Sequence, residues 1–374
     1  MSKTRANGRS SIFIMMCAVL MIPAAGLAAL APPFISSVDS VLSHGKNVTI
    51  TGSGFGTKSP AAPIKWDNFE SYPDGADMVV NAGYDNLGGD GAKAYIKTDN
   101  FFGNNGSKSA KMDYTTGKNS MFPRIGTNLP PGTLELYVTY QAYWTHYTGT
   151  ETAPFIFKWT RGGSNPSYSG VPKFYETIRP NSAGTVTGTD RGFVTDTGTT
   201  YAQSVVAGQN TKVWNRVEYH YKLSNPAGTA NGAYEQWVNS KKNVDLINKI
   251  TRTANEPNSS IDYVMSPFDG NDSYGNTNGY YFWFDDYYID NTPARIEVCS
   301  GSTWDSRGSC VIQIPVAWSS TSITFTANQG GIASTGSGYL YVIDANQTPS
   351  NGVLVNFGDS VPPPSNLKPT TIVK

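Results

Sequence analysis

The chain reads as an all-β protein in which a small sandwich is interrupted by a larger antiparallel jelly-roll sandwich. Three observations predict this. The 374 residues include 38 Gly and 22 Tyr but only 15% charged residues, and clusters of Gly, Ser, Thr and Asn punctuate short runs throughout, as between strands. Several of those runs alternate apolar and polar residues with a period of two, the signature of a sheet with two different faces. Finally, the runs near both chain ends match each other in character, while the long block between them does not.

The chain opens with Lys3, Arg5 and Arg9, then the apolar run 12–22, then Gly26, Leu27 and Ala28 before Ala29. This is the three-part plan of a secretory signal peptide, with cleavage expected after residue 28. The apolar run is about half the ~20 residues that cross a bilayer. The expectation is export to the medium, the cell surface or the periplasm, without membrane insertion. Cleavage would remove three basic residues and no acidic one, leaving the 28 Asp and Glu in slight excess. A slightly acidic chain lacks the basic surface that nucleic acid requires, so nucleic acid is not an expected partner.

After the signal, residues 47–56 read as a strand entering a glycine-rich turn at Gly52, Gly54 and Gly56. Residues 318–326 and 338–344 read as strands that complete the same small sandwich. In the block between, 134–144 places Leu134, Leu136, Val138, Tyr140, Ala142 and Trp144 on one face. Glu135, Tyr137, Thr139, Gln141 and Tyr143 lie on the other. Residues 155–161 form another strand. Residues 214–223 alternate equally well, with Val217, Tyr219, Tyr221 and Leu223 opposed to Arg216, Glu218, His220 and Lys222. Residues 233–244 read as a strand, a tight turn and the start of a further strand; 244–250 is the one helix-compatible stretch. The block closes on the aromatic strand 280–290. Beyond residue 358, Pro362, Pro363 and Pro364 mark a tail with no face to bury.

Cys299 and Cys310 bracket a polar, glycine-containing loop. In an oxidising compartment such a pair predicts a loop-closing disulfide. A redox or metal pair would call for closer spacing or neighbouring His ligands.

Residues 33–38 followed by 45–56 resemble the opening of an IPT/TIG immunoglobulin-like domain, and 318–357 resemble its close. Trp66 to Glu70, Val213 to Glu218, Trp237 to Ser240 and Phe284 to Asp290 resemble marker segments of concanavalin A-like, laminin-G-type jelly rolls. With the signal peptide at 1–28, the resemblance implies a split immunoglobulin-like domain at 29–64 plus 293–358. It places a jelly-roll insertion at 65–292 and a tail at 359–374. Sandwiches of this kind include lectins, carbohydrate-binding modules, glycoside hydrolases and polysaccharide lyases, so fold alone does not choose among them.

The polar face Arg216, Glu218, His220 and Lys222 is the strongest constellation. Alternate strand residues project about 7 Å apart, which suits successive polar groups of a polymer. Tyr137, Gln141 and Tyr143 could join them, with Lys158 or Arg161 as further candidates. Aromatic rings supply stacking surfaces and charged groups supply directional hydrogen bonds, so a polysaccharide or cell-surface glycan is the expected partner. The alternative is a solvated face whose charges pair across the sheet. A purely structural surface component that binds protein is a further alternative.

For catalysis, a retaining glucanase of this fold would show two glutamates on one strand, and Glu218 has no carboxylate two or four residues away. A lyase acting on a uronate would need a base, an acid and a carboxylate neutraliser. His220, Tyr143, Arg216 and Gln141 are a chemically adequate set. Jelly-roll alginate lyases carry three strand motifs, however, and only the tripeptide Arg216, Val217, Glu218 matches one of them. His146 and His44 read as turn and loop residues. No cofactor is required, but Asp67, Glu70, Asp285, Asp286 and Asp290 invite a structural calcium, with Asp67 and Asp286 the leading pair, and Asn271, Asp272 and Ser273 form another loop option. Calcium takes six to eight oxygens, many from backbone, and the alternative is that these are surface or turn acids.

Overall fold

A computed structural model describes residues 31–89, 93–113, 123–145, 157–164, 171–180, 186–205, 212–269, 281–333 and 336–358. The signal segment, the C-terminal tail, His146 and the 271–273 loop lie outside them. The described chain is almost entirely antiparallel β structure, arranged as three sheets.

Two sheets form the jelly roll. The middle sheet runs in the order Lys241–Lys249, Gly232–Val238, Asn215–Lys222, Glu135–Thr145, Tyr281–Asp290, Ser109–Asp113 and Ala94–Lys97. The outer sheet runs Thr200–Val205, Val186–Val194, Lys173–Pro180, Phe157–Gly163, Tyr263–Asp269, Pro123–Asn128 and Asp85–Gly89. The apolar faces read from the sequence meet between them: Leu136, Val138, Tyr140, Val217, Tyr219 and Tyr221 all lie in one core with Phe174, Phe284 and Tyr287. Its aromatic rings pack in tilted, edge-on and stacked pairs, as between Phe174 and Tyr221 (5.0 Å), Tyr140 and Phe284 (6.4 Å) and Tyr140 and Tyr219 (6.2 Å), within the usual range of ring separations.

Strands from both chain ends share the third sheet, here called the host sheet. Its order is Phe34–Val38, Asn47–Ser53, Ser322–Thr326, Cys310–Trp318, Arg295–Cys299, Ser337–Ile343 and Val353–Asn356. The pairing is direct, with Ile50 opposite Ile323 and Val48 opposite Phe325. The sheet closes over Ile50, Ile296, Val298, Phe325, Leu340 and Val342 as a small sandwich with its own core. Its long strand breaks register at Pro315, which has no N–H for the ladder. Gly54 and Gly56 adopt positive φ (72° and 70°) in the turn leaving the second strand, a conformation glycine takes without steric cost.

The insertion departs and returns side by side. Lys65–Asp67 pairs antiparallel with Tyr281–Asp290, Tyr287 standing opposite Asp67. One expectation fails locally: the helix-compatible stretch 244–250 is strand through Lys249. Asn239 and Ser240 both take positive φ (49° and 67°), turning the chain tightly enough that 241–249 must ladder onto Gly232–Val238. That pairing overrides a weak local propensity.

Cys299 and Cys310 are directly opposite each other in the host sheet and form a disulfide. The loop they close folds back so tightly that a Cβ on Gly301 would meet the Ser306 carbonyl oxygen at 1.9 Å. Replacing both cysteines by alanine is expected to lower stability by about 3 kcal/mol, the loop-closure value for a ring of this length, with sheet content unchanged. Denaturant unfolding of the oxidised protein and the double variant, followed by far-UV circular dichroism, measures it.

Candidate functional site

The polar face of the middle sheet does not look into solvent. Arg295–Cys299 of the host sheet alternates across its own strand: Ile296 and Val298 enter the host core, while Arg295 and Glu297 are turned to the middle sheet. There Arg216 makes a bidentate pair with Glu297 (Nη2 to Oε1 2.7 Å, Nη1 to Oε2 3.1 Å) and sits 3.3 Å from Glu218. Arg295 pairs with Glu297 and lies 3.6 Å from Glu218. The Tyr137 hydroxyl donates to Glu218 at 2.7 Å, and the Arg295 guanidinium lies 4.5 Å over the Tyr137 ring. Beside this cluster, Tyr137 and Tyr288 pack on Ile312.

Two arginines and two glutamates thus neutralise one another out of water. Burial opposes ionisation of Glu297, but Arg216 and Arg295 hold its carboxyl well below the usual range. Burial likewise disfavours the Arg216 charge, and Glu218 and Glu297 more than restore it.

His220 is equally enclosed. It hydrogen-bonds Glu235 at 2.9 Å and Glu135 at 2.8 Å, and the Gln347 amide of the host region caps Glu235. Burial lowers the imidazole pKa, but the bonds to Glu135 and Glu235 raise it overall. Burial opposes the Glu235 charge too, yet His220 and Lys242 draw its carboxyl down to about 2. With each ring nitrogen hydrogen-bonded to a carboxylate, neither is left to face a substrate. Lys222, half-exposed, pairs with Glu135 at 3.4 Å.

The expected open groove over Tyr137, Glu218 and His220 is therefore covered, because the face meets charged host residues rather than water. Nor do His220, Tyr143, Arg216 and Gln141 form one reacting set. Arg216 stands opposite Gln141, and His220 opposite Tyr137. Four residues of strand, roughly 13 Å, separate His220 from Arg216, and Tyr143 is farther still. Lys158 and Arg161 belong to a strand of the outer sheet, and Arg161 is buried there.

The calcium candidates also have other work. Asp67 accepts from the Phe69 N–H (2.8 Å) and the Tyr72 and Tyr84 hydroxyls (3.1 and 3.3 Å), whereas Asp286 accepts from the Asn328 amide at 3.0 Å. Their hydrogen-bond partners are separate. Glu70 caps the N–H groups of Ser107 and Lys108, Asp290 pairs with Lys58 at 2.7 Å, and Asp285 accepts from the N–H groups of Phe102 and Asp286. The remaining cluster of potential metal ligands among the described residues, Glu297 with Cys299 and Cys310, has its sulfurs bonded to each other. His44 accepts from the Gln329 N–H at 3.3 Å, and burial lowers its pKa against the pull of Glu70.

What stays open is one end of the face. A cleft of about 440 Å³ lies between the middle sheet and the disulfide-closed host hairpin, lined by Phe102, Gln141, Trp214 and Arg216 on one side and by Cys299, Cys310, Val311 and Ile332 on the other. Gln141 is 5% exposed, and its amide makes no hydrogen bond with a described residue. A row of rings leads away across the strands: Phe102 to Trp214 (5.8 Å), Trp214 to Tyr143 (5.5 Å) and Tyr143 to Trp283 (5.5 Å). The Trp283 indole donates to Asp99 at 2.8 Å, and Lys111 lies 4.9 Å over its ring. Arg216 and Gln141 of the sequence-derived set thus line the cleft, and Tyr143 stands behind Trp214 in the ring row. Phe102, Trp214 and Trp283 were not among the candidates, although Trp214 and Trp283 could have been found as aromatics flanking the alternating strands at the same end.

No protein-family profile matches the chain, and no curated protein does. Among solved structures, an endo-β-1,4-glucuronan lyase from the fungus Trichoderma reesei is similar over 62% of this chain and 96% of its own, at 11% identity and a TM-score of 0.45. An alginate lyase solved with alginate tetrasaccharide is similar over 62% and 97%, at 15% identity and 0.44. A cellulose-induced protein is similar over 61% and 97%, at 18% and 0.38. At these identities and scores the likenesses carry no functional inference.

Two outcomes follow from the seam. Glu297→Gln leaves two buried guanidinium groups with one carboxylate and is expected to cost about 3–5 kcal/mol, read by chemical denaturation. Burial lifts the Asp286 carboxyl to about 6, against the Asn328 hydrogen bond and Arg216. A carboxyl with a raised folded pKa holds its proton longer in the native state, so its share of stability is complete below pH 3.8 and is lost as pH rises through 6. Asp286→Asn, tolerated at a positive-φ site, should therefore gain stability relative to the native chain between pH 4 and pH 7, by on the order of 2–3 kcal/mol. Thermal unfolding at both pH values tests it.

Proposed function

We propose that the protein is a secreted carbohydrate-binding or surface-adhesion protein that holds a glycan in the cleft at the open end of the middle sheet. The observation that carries this reading is Gln141: its side-chain amide hydrogen-bonds no described residue and lines a cleft beside the rings of Phe102 and Trp214. An amide facing a cleft offers both a donor and an acceptor to a ligand hydroxyl. Sugars need both an apolar surface for their ring faces and convergent polar groups for their hydroxyls. Trp214 and Tyr143, both half-buried, provide the first, and Gln141 with the outer edge of Arg216 provides the second. The cleft volume falls within the range of small-ligand sites, about 300–1,000 Å³. Export is supported by the N-terminal charge, apolar and small-residue pattern together with the disulfide. Among the described residues no helix is long and apolar enough to cross a membrane.

A glycan array followed by titration calorimetry on the best ligand tests the proposal. Trp214→Ala and Gln141→Ala are each expected to weaken binding about threefold to tenfold, the worth of one stacking or hydrogen-bonding contact, without loss of fold. Retention on no glycan, or native affinity in both variants, contradicts it. New ultraviolet absorbance from unsaturated sugar ends on incubation with uronate polymers would instead mark the protein as a cleaving enzyme.

A further inference from the structure

The turn residue Ser240 lines two clefts. The second, of about 710 Å³, is bounded by Trp237, Lys241 and Lys242 of the middle-sheet hairpin and by Trp304, Arg307 and Gln347 of the host region. Arg307 and Arg252 are both buried without an ion pair among the described residues, but Arg252 spends all three of its nitrogens on the carbonyls of Ser224 and Ser259. Arg216, Arg295 and Lys58 each face a carboxylate. Arg307, only 7% exposed, donates Nη1 to the Trp304 carbonyl at 3.1 Å and stacks 4.1 Å from the Trp304 ring. It makes no ion pair with a described residue, and its Nε is buried without a partner.

The surrounding loop fixes that guanidinium in place. The disulfide closes the loop's base, the Gly301 N–H donates to the Arg307 carbonyl at 2.9 Å, and the Tyr341 hydroxyl donates to the Gly301 carbonyl at 2.8 Å. Trp304 packs on the Tyr341 ring at 5.4 Å. A largely buried guanidinium with a donor unspent gains from an anion that meets it, and one already immobilised loses little freedom in doing so. Nearby acids do not fill the role. Glu235 is committed to His220 and Lys242, and Asp305 is exposed and pairs with no described cation. Lys241, exposed and without an ion pair among the described residues, adds a second positive charge to the rim.

We propose that this cleft recognises an oxyanion carried by a sugar polymer, a carboxylate or a sulfate, with Arg307 as the fork that meets it and Trp237 and Trp304 as flanking ring surfaces. The inference rests on the glycan reading of the adjoining cleft and names the class of glycan: an acidic one, spanning both clefts past Ser240.

Titration calorimetry of the full mature chain with three probes of matched length tests it: a neutral cello-oligosaccharide, an oligogalacturonate and a sulfated galactan oligosaccharide. Arg307→Gln is expected to weaken an acidic probe at least tenfold, the loss of one charge-assisted contact, while the neutral probe changes less than twofold. Lys241→Gln, fully on the surface and safe for folding, is expected to weaken it about threefold at low salt. The acidic probe that responds distinguishes carboxylate from sulfate. Native affinity for both acidic probes in both variants, or no binding of either acidic probe by the native chain, overturns the proposal. If in that case Trp214→Ala and Gln141→Ala still weaken binding of a glycan, the glycan reading survives alone; retention on no glycan of the array removes both.

Discussion

Four buried charges, Arg216 and Glu218 on the middle sheet and Arg295 and Glu297 on the host sheet, are the constraint on which the architecture turns. None could be buried singly, since an unpaired ion in the interior costs several kcal/mol. Together they form a neutral, hydrogen-bonded unit closed by Tyr137 and Thr139. The net stabilisation from such a cluster is small, because desolvation offsets attraction. Its effect is on specificity: each sheet can bury its polar face only against the other, in this register.

That constraint explains the split of the host sheet. The five residues Arg295–Cys299 serve two layers at once, with Ile296 and Val298 in the host core and Arg295 and Glu297 in the seam. They follow directly on Tyr281–Asp290, the strand against which Lys65–Asp67 pairs. Departure from the host, return to it and contact with the insertion are thus concentrated in one corner of the molecule. The two clefts are what remains where the host sheet does not reach across the whole face, and the tight Asn239–Ser240 turn divides them.

Much of this was legible in the sequence. Period-two alternation assigned the faces of Glu135–Thr145 and Asn215–Lys222 residue by residue, because a side chain on a strand has only two directions to take. The Cys299–Cys310 loop was legible from spacing and compartment. Coverage of the polar face was not. Alternation separates apolar from polar, and a polar face looks the same whether water or a complementary charged strand lies over it. The segment Arg295, Ile296, Glu297, Val298 is too short to announce that role. Asp67 and Asp286 looked equivalent as acids near paired strands, but a bulge at Asp286, with φ of 50°, sends its carboxylate to Asn328 while Asp67 turns toward Tyr72 and Tyr84. Arg307 carries no sequence signal at all; its isolation exists only once Trp304, Gly301 and the disulfide have been folded around it.

The central claim is that the seam is part of the folded core and not a lid over a groove. Native-state amide hydrogen exchange measures this directly. The account predicts that the N–H groups of Asn215–Lys222 and Arg295–Cys299 exchange only through global unfolding, with the same free energy as the jelly-roll core strand Glu135–Thr145. Exchange of Arg295–Cys299 through a separate, lower-energy opening that also exposes the side chains of Arg216 and His220 would contradict it.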